Sequence, residues 1–190
     1  MTSITGILLA AGDGRRFGGR KLLYPLPGGE PVGVAAARNL IEAVRDAVAV
    51  VRPGDRELSA VLSAVGMRIV ENPAAADGIG TSLSAGVGAT DGARGWLVAL
   101  ADMPWIRPTT IRGLTEALLT GAPLVAPLHR GRRGHPVGFA ARWQAQLQAL
   151  TGDQGARHLL ARHAGDLVLQ STADPGVLRD VDSLADLEHS

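Results

Sequence analysis

The sequence alternates short apolar runs with stretches of helical period, and this alternation constrains the fold more than any other feature. The apolar runs 4–11, 47–51, 68–70, 96–101 and 124–126 are too short for helices and predict strands. Between them, residues 34–44 and 58–65 place apolar side chains on one helical face, and Pro108 stands where a helix can begin. The pattern predicts a Rossmann-like, three-layer α/β/α fold with a mostly parallel sheet.

The pattern becomes looser after about residue 128. A strand is predicted at 137–139, helical stretches at 143–150 and 156–163, and a strand end followed by a helix over 180–188. Ser183 and Asp186 have the spacing of a capping box at the start of that helix. Because no repeat or low-complexity linker divides the chain, we expect one domain over 1–190, an α/β core with a C-terminal elaboration.

Composition removes several classes of protein. The chain has no cysteine, which excludes disulfide scaffolds, thiolate zinc sites and cysteine nucleophiles. No apolar run is long enough for a membrane span, and no basic segment precedes the first apolar run as in a secretory signal. A net charge of +1 gives no general attraction to nucleic acid or membranes. We therefore expect a cytoplasmic protein with small-molecule ligands.

A glycine-rich, basic loop follows the first predicted strand. Glycines lie at positions 12, 14, 18 and 19, and four cations fall within seven residues: Arg15, Arg16, Arg20 and Lys21. Glycine lets backbone N–H groups approach a phosphate without a Cβ in the way. Lys21 is also the single lysine among 19 basic residues. The loop predicts a triphosphate site, and a solvated basic turn is the alternative.

Two familiar phosphate-binding loops fit less well. A P-loop needs Gly-Lys-Ser/Thr, whereas this chain has Gly19-Arg20-Lys21-Leu22. The spacing of Gly12, Gly14 and Gly18 resembles a dinucleotide-binding pattern, which requires a helix at the glycines and an acidic residue about 20 positions later. Prolines at 25, 27 and 31 interrupt such a helix, and Arg52 follows the second strand. A nicotinamide-dependent oxidoreductase is thus a weaker alternative.

Carboxylates follow the fourth predicted strand and lie in the C-terminal segment. Asp102 at a strand's carboxyl end is placed to hold Mg²⁺ opposite a phosphate loop, because Mg²⁺ binds through one or two carboxylates plus phosphate oxygens. An Asx turn or a cap for the helix near Pro108 is the alternative role. Asp180 and Asp182 are two apart, so in a strand they would share a face and a cation. For Asp182, a structural role near the following helix is the alternative.

Two further segments have a functional and a structural interpretation. Residues 78–82 predict a loop before a helix over 83–87, with Thr81 or Ser82 as its cap. Arg130, Arg132 and Arg133 form a second basic cluster beside His135, which is either a solvated face or a site for a second phosphorylated ligand. Two basic clusters on a nearly neutral chain favour two such ligands.

Several motifs together resemble one family. The segment from Leu9 to Leu22, Leu-Ala-Ala-Gly-x-Gly-x-Arg-x-Gly-x-x-Lys-Leu, is similar to the signature of the MobA-like nucleotidyltransferases. The likeness continues through 78–83, 100–104, 132–137 and 180–183, in the family's order. Within the family, the molybdenum cofactor cytidylyltransferases are most similar, since Ala11 stands where guanylyltransferases more often have glycine. Ser183-Leu184 departs from the more frequent Thr-Pro.

The resemblance implies transfer of CMP from CTP to the phosphate of molybdopterin cofactor, with release of pyrophosphate. It implies catalytic roles for Lys21, Arg16 and Asp102, and a Mg²⁺ site at Asp102 and Asp182. The implied nucleotide contacts are Leu9, Ala10, Ala11, Gly12, Gly14, Arg15, Gly18, Lys21 and Ser82. The implied acceptor contacts are Gly80, Thr81, Arg133 and His135. A recipient molybdoenzyme or its chaperone is an implied partner.

Three alternatives remain from the sequence. One is a nucleotidyltransferase that uses GTP or another phosphorylated acceptor. The second is the oxidoreductase that uses the glycine pattern for NAD(P). The third is a non-catalytic module that binds molybdenum cofactor and delivers it to an enzyme.

Overall fold

The computed structural model describes residues 3–12, 14, 17 and 19–188. Within these ranges the strands are β1 Ile4–Leu9, β2 Asp46–Val51, β3 Arg68–Glu71, β4 Gly95–Leu100, β5 Leu124–His129, β6 Arg132–Arg133, β7 Val137–Ala140 and β8 Leu167–Ser171. The α-helices are α1 Val32–Ile41, α2 Arg56–Ala64, α3 Ile79–Gly88, α4 Pro108–Leu119, α5 Gln144–Gln148, α6 Arg157–Arg162 and α7 Ala185–Glu188.

One mixed sheet forms the centre of the molecule. Strands β3, β2, β1 and β4 are parallel neighbours in that order, and β7 joins the edge of β4 in the antiparallel direction. Strand β5 pairs antiparallel with β7 and β6, and its parallel partner is β8. The predicted mostly parallel α/β sheet with a C-terminal elaboration is confirmed. Because β1 and β4 are adjacent, Leu9 pairs with Leu100 and the loops after both strands meet.

Apolar side chains cover both faces of the sheet. Side chains of β1 alternate between them, so that Ile4 and Leu8 join the core under α1, α2 and α4, while Ile7 joins the core under α3, α5 and α6. The largest fully buried side chains are Trp96 and Phe139, and the remaining core is mainly Ala, Val, Leu and Ile. This arrangement confirms the three-layer architecture.

Two local expectations from the sequence were wrong. Helix α3 begins at Ile79 with Gly78 at the N-cap, so Thr81 and Ser82 lie inside the helix and do not cap it. Weak helix formers made this segment look like a loop, but packing against later residues stabilises the helix. The second error concerns Asp180 and Asp182, which were expected in a strand but lie in a segment without regular secondary structure, outside the sheet. The strand β8 was not predicted either.

A buried carboxylate, Asp174, attaches the C-terminal segment (residues 174–188) to α4. It is 2% exposed. Its oxygens accept hydrogen bonds from the backbone N–H of Arg107 at 2.8 Å, the hydroxyl of Thr110 at 2.8 Å and the backbone N–H of Gly176 at 2.9 Å. Asp174 therefore accepts the hydrogen bonds at the start of α4. The alternative role of Asp102, a cap for this helix, is thus filled by Asp174.

We expect Asp174→Ala to destabilise the fold strongly. It leaves three donors without their acceptor, which costs roughly 3 kcal/mol and lowers Tm by about 6–12 °C. Thermal unfolding followed by circular dichroism measures the change, with Asp91→Ala, at an exposed turn position, as the control. A Tm within about 2 °C of wild type would show that the three donors find other partners.

Candidate active site

A cleft of about 560 Å³ lies at the carboxyl ends of β1, β2 and β4, where ligands bind in open α/β sheets. We call it the first cleft. Its lining comes from the ends of β1 and β2, the glycine-rich loop, the start of α2 and the segments after β4 and near the C-terminus: Leu9, Gly12, Gly14, Phe17, Arg20, Lys21, Leu22, Leu23, Arg52, Asp55, Leu58, Asp102 and Asp182.

Backbone geometry at Gly14 determines where Lys21 lies. Gly14 has a φ of +59°, and its carbonyl accepts hydrogen bonds from the N–H groups of Phe17 at 2.9 Å and Gly19 at 3.2 Å. A Cβ at position 14 would lie 3.4 Å from the Cβ of Lys21. Arg20 is left-handed at φ +53°, and a 3₁₀ helix, Lys21–Leu23, follows. The loop thus turns back on itself and presents the Lys21 side chain to the cleft.

The Lys21 ammonium lies between two carboxylates. Its Nζ is 2.7 Å from Oδ2 of Asp102 and 4.0 Å from Oδ1 of Asp182. The side chains of Lys21 and Asp102 are 13% and 26% exposed. The pair is therefore shielded from water on most sides, which strengthens its electrostatic interaction. Lys21, Asp102 and Asp182 come from three distant segments, which the family resemblance joins in one site, and the structure brings them together.

The C-terminal segment places Asp182 beside Asp102. The backbone N–H of Val181 donates to the carbonyl of Asp102 at 2.8 Å. Val181 and Leu187 are buried in a small apolar cluster with Val32. The predicted pair of Ser183 and Asp186 also forms, since the Ser183 N–H donates to the Asp186 carboxylate at 2.7 Å. These contacts fix the backbone on both sides of Asp182.

Asp180 lies next to this group without lining the first cleft. Partial burial raises the pKa of its carboxyl, and the negative charges of Asp182 and Asp102 raise it further, against a backbone hydrogen bond and Lys21. Of the two aspartates in the late motif, Asp182 is the one that faces Lys21.

A second cleft of about 310 Å³ adjoins the first, and Leu9 lines both. Arg133 and His135 line it, and the backbone N–H of His135 donates to the carbonyl of Val177 at 2.9 Å. Burial, assisted by Arg133, lowers the pKa of His135, while the charge of Asp102 opposes the shift. The imidazole is thus held neutral near pH 7, between the second cleft and the carboxylates of the first.

The remaining predicted residues lie in three environments. Leu9 lines the clefts, and Ala10 and Ala11 are buried at the end of β1. Within the described part of the chain, Gly80, Thr81 and Ser82 line neither cleft. Ser82 is 4% exposed, and its hydroxyl accepts a hydrogen bond from Asn72, as does that of Thr81. Arg15, Arg16 and Gly18, with Asp13, lie outside the described residues.

Arg52 is a lining residue that the sequence did not mark as functional. It follows β2, and its Nε donates to the carbonyl of Ala11 at 2.7 Å. Its position directly after a buried parallel strand was the available signal, because that places it at the same sheet edge as the glycine-rich loop. It adds a positive charge near Gly12 and Gly14.

The carboxylates beside Lys21 are the candidate ligands for a divalent cation. Across residues 3–12, 14, 17 and 19–188, no three His, Cys, Asp or Glu side chains group as a metal cage. Mg²⁺ does not require one, because it commonly binds one or two carboxylates and completes its shell with phosphate oxygens and water. Asp102 and Asp182 already flank one cation, the Lys21 ammonium. Their carboxylates therefore fit Mg²⁺ carried by a nucleotide.

In the described residues no helix has the length and apolar character required to span a membrane.

The chain is similar to known proteins over nearly its whole length. The chain is 33% identical to the nicotine blue oxidoreductase of Paenarthrobacter nicotinovorans, over 95% of this chain and 93% of that protein. It is 29% identical to the purine catabolism protein PucB of Bacillus subtilis strain 168, over 95% and 92%. A solved nucleotidyl transferase from Methanothermobacter has the same fold, with a TM-score of 0.82, 24% identity and coverage of 100% and 96%.

A family model described as the MobA-like NTP transferase domain matches residues 6–167, which hold the glycine-rich loop, Lys21, Asp102 and the Arg133–His135 turn. The match covers most of the chain. The protein belongs to the MobA-like NTP transferases.

Proposed function

We propose that the protein transfers CMP from CTP to the terminal phosphate of molybdopterin cofactor and releases pyrophosphate. The observation that carries the proposal is the Lys21 ammonium held 2.7 Å from Asp102 beside a glycine-rich loop, in a first cleft that shares Leu9 with the second. The first cleft takes the nucleotide and the second takes the acceptor. A recipient molybdoenzyme or its chaperone would then receive the product.

Nucleotidyl transfer requires positioning and charge neutralisation more than covalent chemistry from the protein. An oxygen of the acceptor phosphate attacks the α-phosphorus of CTP, a new P–O bond forms, and the bond to the β-phosphate breaks. Lys21 stabilises negative charge on the α-phosphate oxygens, where a compact ammonium can follow the moving oxygen. Arg52 and the glycine-rich backbone neutralise and hold the departing phosphates.

Asp102 and Asp182 would hold the Mg²⁺ that accompanies the triphosphate. When bound, the ion neutralises phosphate charge and makes the α-phosphorus more electrophilic. Since both carboxylates face Lys21, they also orient the ammonium toward the same phosphate. The hydrogen bond from the backbone N–H of Val181 to the carbonyl of Asp102 keeps Asp102 and Asp182 next to each other.

The choice of CTP depends on the residues at the end of β1. Ala11 is buried and its carbonyl accepts a hydrogen bond from Arg52, which holds the backbone between Leu9 and Gly12, two residues that line the first cleft. Alanine at this position resembles the motif of the cytidylyltransferases. A transferase that uses GTP is the nearest alternative.

A second candidate function, NAD(P)-dependent oxidation or reduction, is favoured by the name of the relative that is 33% identical. The site geometry supports it less. In a dinucleotide fold a helix begins at the glycines. Here α1 begins at Val32, and the glycine-rich loop is followed by the 3₁₀ helix Lys21–Leu23.

Ligand protection separates these candidates. We expect CTP with Mg²⁺ to raise Tm by several degrees, as a ligand at about 100 times its Kd stabilises by roughly 2.7 kcal/mol. GTP with Mg²⁺ and NADPH are measured in parallel, and pyrophosphate release with molybdopterin cofactor then separates an enzyme from a carrier. Protection by NADPH alone would overturn the proposal in favour of the oxidoreductase, and protection by GTP alone would overturn the choice of base.

A further inference from the structure

The segment 151–157 forms one side of the second cleft. Its side chains that line this cleft belong to Asp153, Gln154 and Arg157. The opposite lining is largely apolar and comes from the sheet and from α3: Leu9, Ile79, Leu83, Val98, Leu100 and Phe139. The cleft therefore combines an apolar floor with two positive charges from separate elements, Arg133 on β6 and Arg157 at the start of α6, and one negative charge from Asp153.

Contacts with the first turn of α3 hold this segment in place. The N–H of Gly80 donates to the carbonyl of Gly152 at 2.9 Å. A Cβ at Gly80 would lie 2.6 Å from the carbonyl oxygen of Thr151 and 2.9 Å from that of Gly152. The Ser84 hydroxyl donates to the carbonyl of Gln148 at 2.6 Å, one turn further along α3. Only glycine at position 80 permits the backbone of 151–152 to approach so closely.

These contacts give the glycines of 78–80 a role other than direct ligand contact. The contact joins the backbone of α3 to the backbone of 151–152, so no side-chain rotamer change can relieve a clash there. A Cβ added at Gly80 must therefore displace residues 151–152. Arg157 and Gln154 follow within five residues, so their positions depend on this junction.

We infer that segment 151–157, docked on Gly80, is the wall of the second cleft that selects the acceptor. The inference rests on the proposed function. The wall fits an acceptor with a flat ring system against the apolar floor and anionic groups at Arg133 and Arg157. Gly80 is then a positioning residue, and Arg157 is a specificity-determining residue.

The test uses two variants and one control on the full chain. Gly80→Ala adds the Cβ that meets 151–152, and Arg157→Ala removes the positive charge of the wall, at an exposed position outside the core. Gly88→Ala is the matched control, since it lies in the same helix and a Cβ there has only Gln148 Nε2 near it, at 4.0 Å.

Hydrogen exchange of the unliganded protein measures how firmly segment 151–157 is held against α3. We expect the amides of 151–157 to exchange about ten-fold faster in Gly80→Ala than in wild type or Gly88→Ala. Unchanged exchange in Gly80→Ala would overturn the positioning role. This readout needs no substrate, so it decides the junction even where the proposed function fails.

Separate titrations with CTP·Mg²⁺ and with molybdopterin cofactor measure the affinity for each ligand and so show whether the wall acts on the acceptor alone. We expect Gly80→Ala and Arg157→Ala to weaken binding of the cofactor about ten-fold and to leave CTP affinity within roughly two-fold. If wild type forms product but Arg157→Ala binds the cofactor normally, the wall inference fails and the proposed function stands. If wild type binds neither ligand, the proposed function and the acceptor role of the wall are both overturned.

Discussion

Lys21→Ala is expected to lower the rate of pyrophosphate release from CTP and molybdopterin cofactor by about 10²–10³-fold, the usual cost of losing a preorganised group at the transition state. The Lys21 side chain is 13% exposed, its ammonium lies 2.7 Å from Asp102, and the turn at Gly14 presents it to the first cleft. No other lysine exists in the chain to substitute for it. Because the interaction strengthens as charge moves onto the α-phosphate oxygens, CTP affinity should fall far less, by roughly three-fold.

Steady-state kinetics with both substrates and a CTP titration give this split between kcat and affinity. Arg38→Ala is the matched control, because it also removes one positive charge, from an exposed pair with Glu30 outside both clefts. Turnover of Lys21→Ala within about five-fold of wild type would remove Lys21 from the reaction.

Asp102→Asn should abolish most of the Mg²⁺-dependent rate, with a loss of roughly 10²-fold or more. The amide keeps the shape of the carboxylate, so the backbone bond from Val181 to the Asp102 carbonyl can persist. What is lost is one negative charge from the pair that flanks Lys21. A cation then binds more weakly at this point, and the Lys21 ammonium loses its closest partner.

A Mg²⁺ titration of the rate measures this effect, with Asp166→Asn, an exposed acid outside the clefts, as the control. We expect the variant to need higher Mg²⁺ and to reach a lower maximum. The same Mg²⁺ dependence as wild type would exclude Asp102 as a metal ligand.

The sequence predicted the fold and the strand ends where a site would lie, but not the contact between Lys21 and Asp102. Asp102 and Lys21 were recognisable because each follows a short apolar strand, and ligands gather at the carboxyl ends of parallel strands. Their contact spans 81 residues and depends on the pairing of β1 with β4, which no local pattern encodes. The family resemblance supplied that missing link by joining motifs from both segments.

Residues whose role is purely tertiary were not predictable. Asp174 precedes a Pro-Gly pair and looks like an ordinary turn residue, yet it is buried and bonded to α4. Residues 78–82 looked like a loop because glycine and serine are weak helix formers, although the glycines allow α3 to pack against 151–152. The strand β8 begins with the apolar run Leu167-Val168-Leu169, as short as runs that did predict strands, yet most of its side chains are exposed and it was not predicted.

The most direct test of the proposed nucleotidyl transfer follows the phosphates of CTP. Wild-type protein is incubated with Mg²⁺, molybdopterin cofactor and CTP labelled either at the α- or at the γ-phosphorus. We predict that α-label appears in a cytidine dinucleotide of the cofactor and that γ-label appears only in pyrophosphate, in equal amounts. Free CMP as the only α-labelled product, or transfer of γ-label to the cofactor, would contradict the proposed reaction.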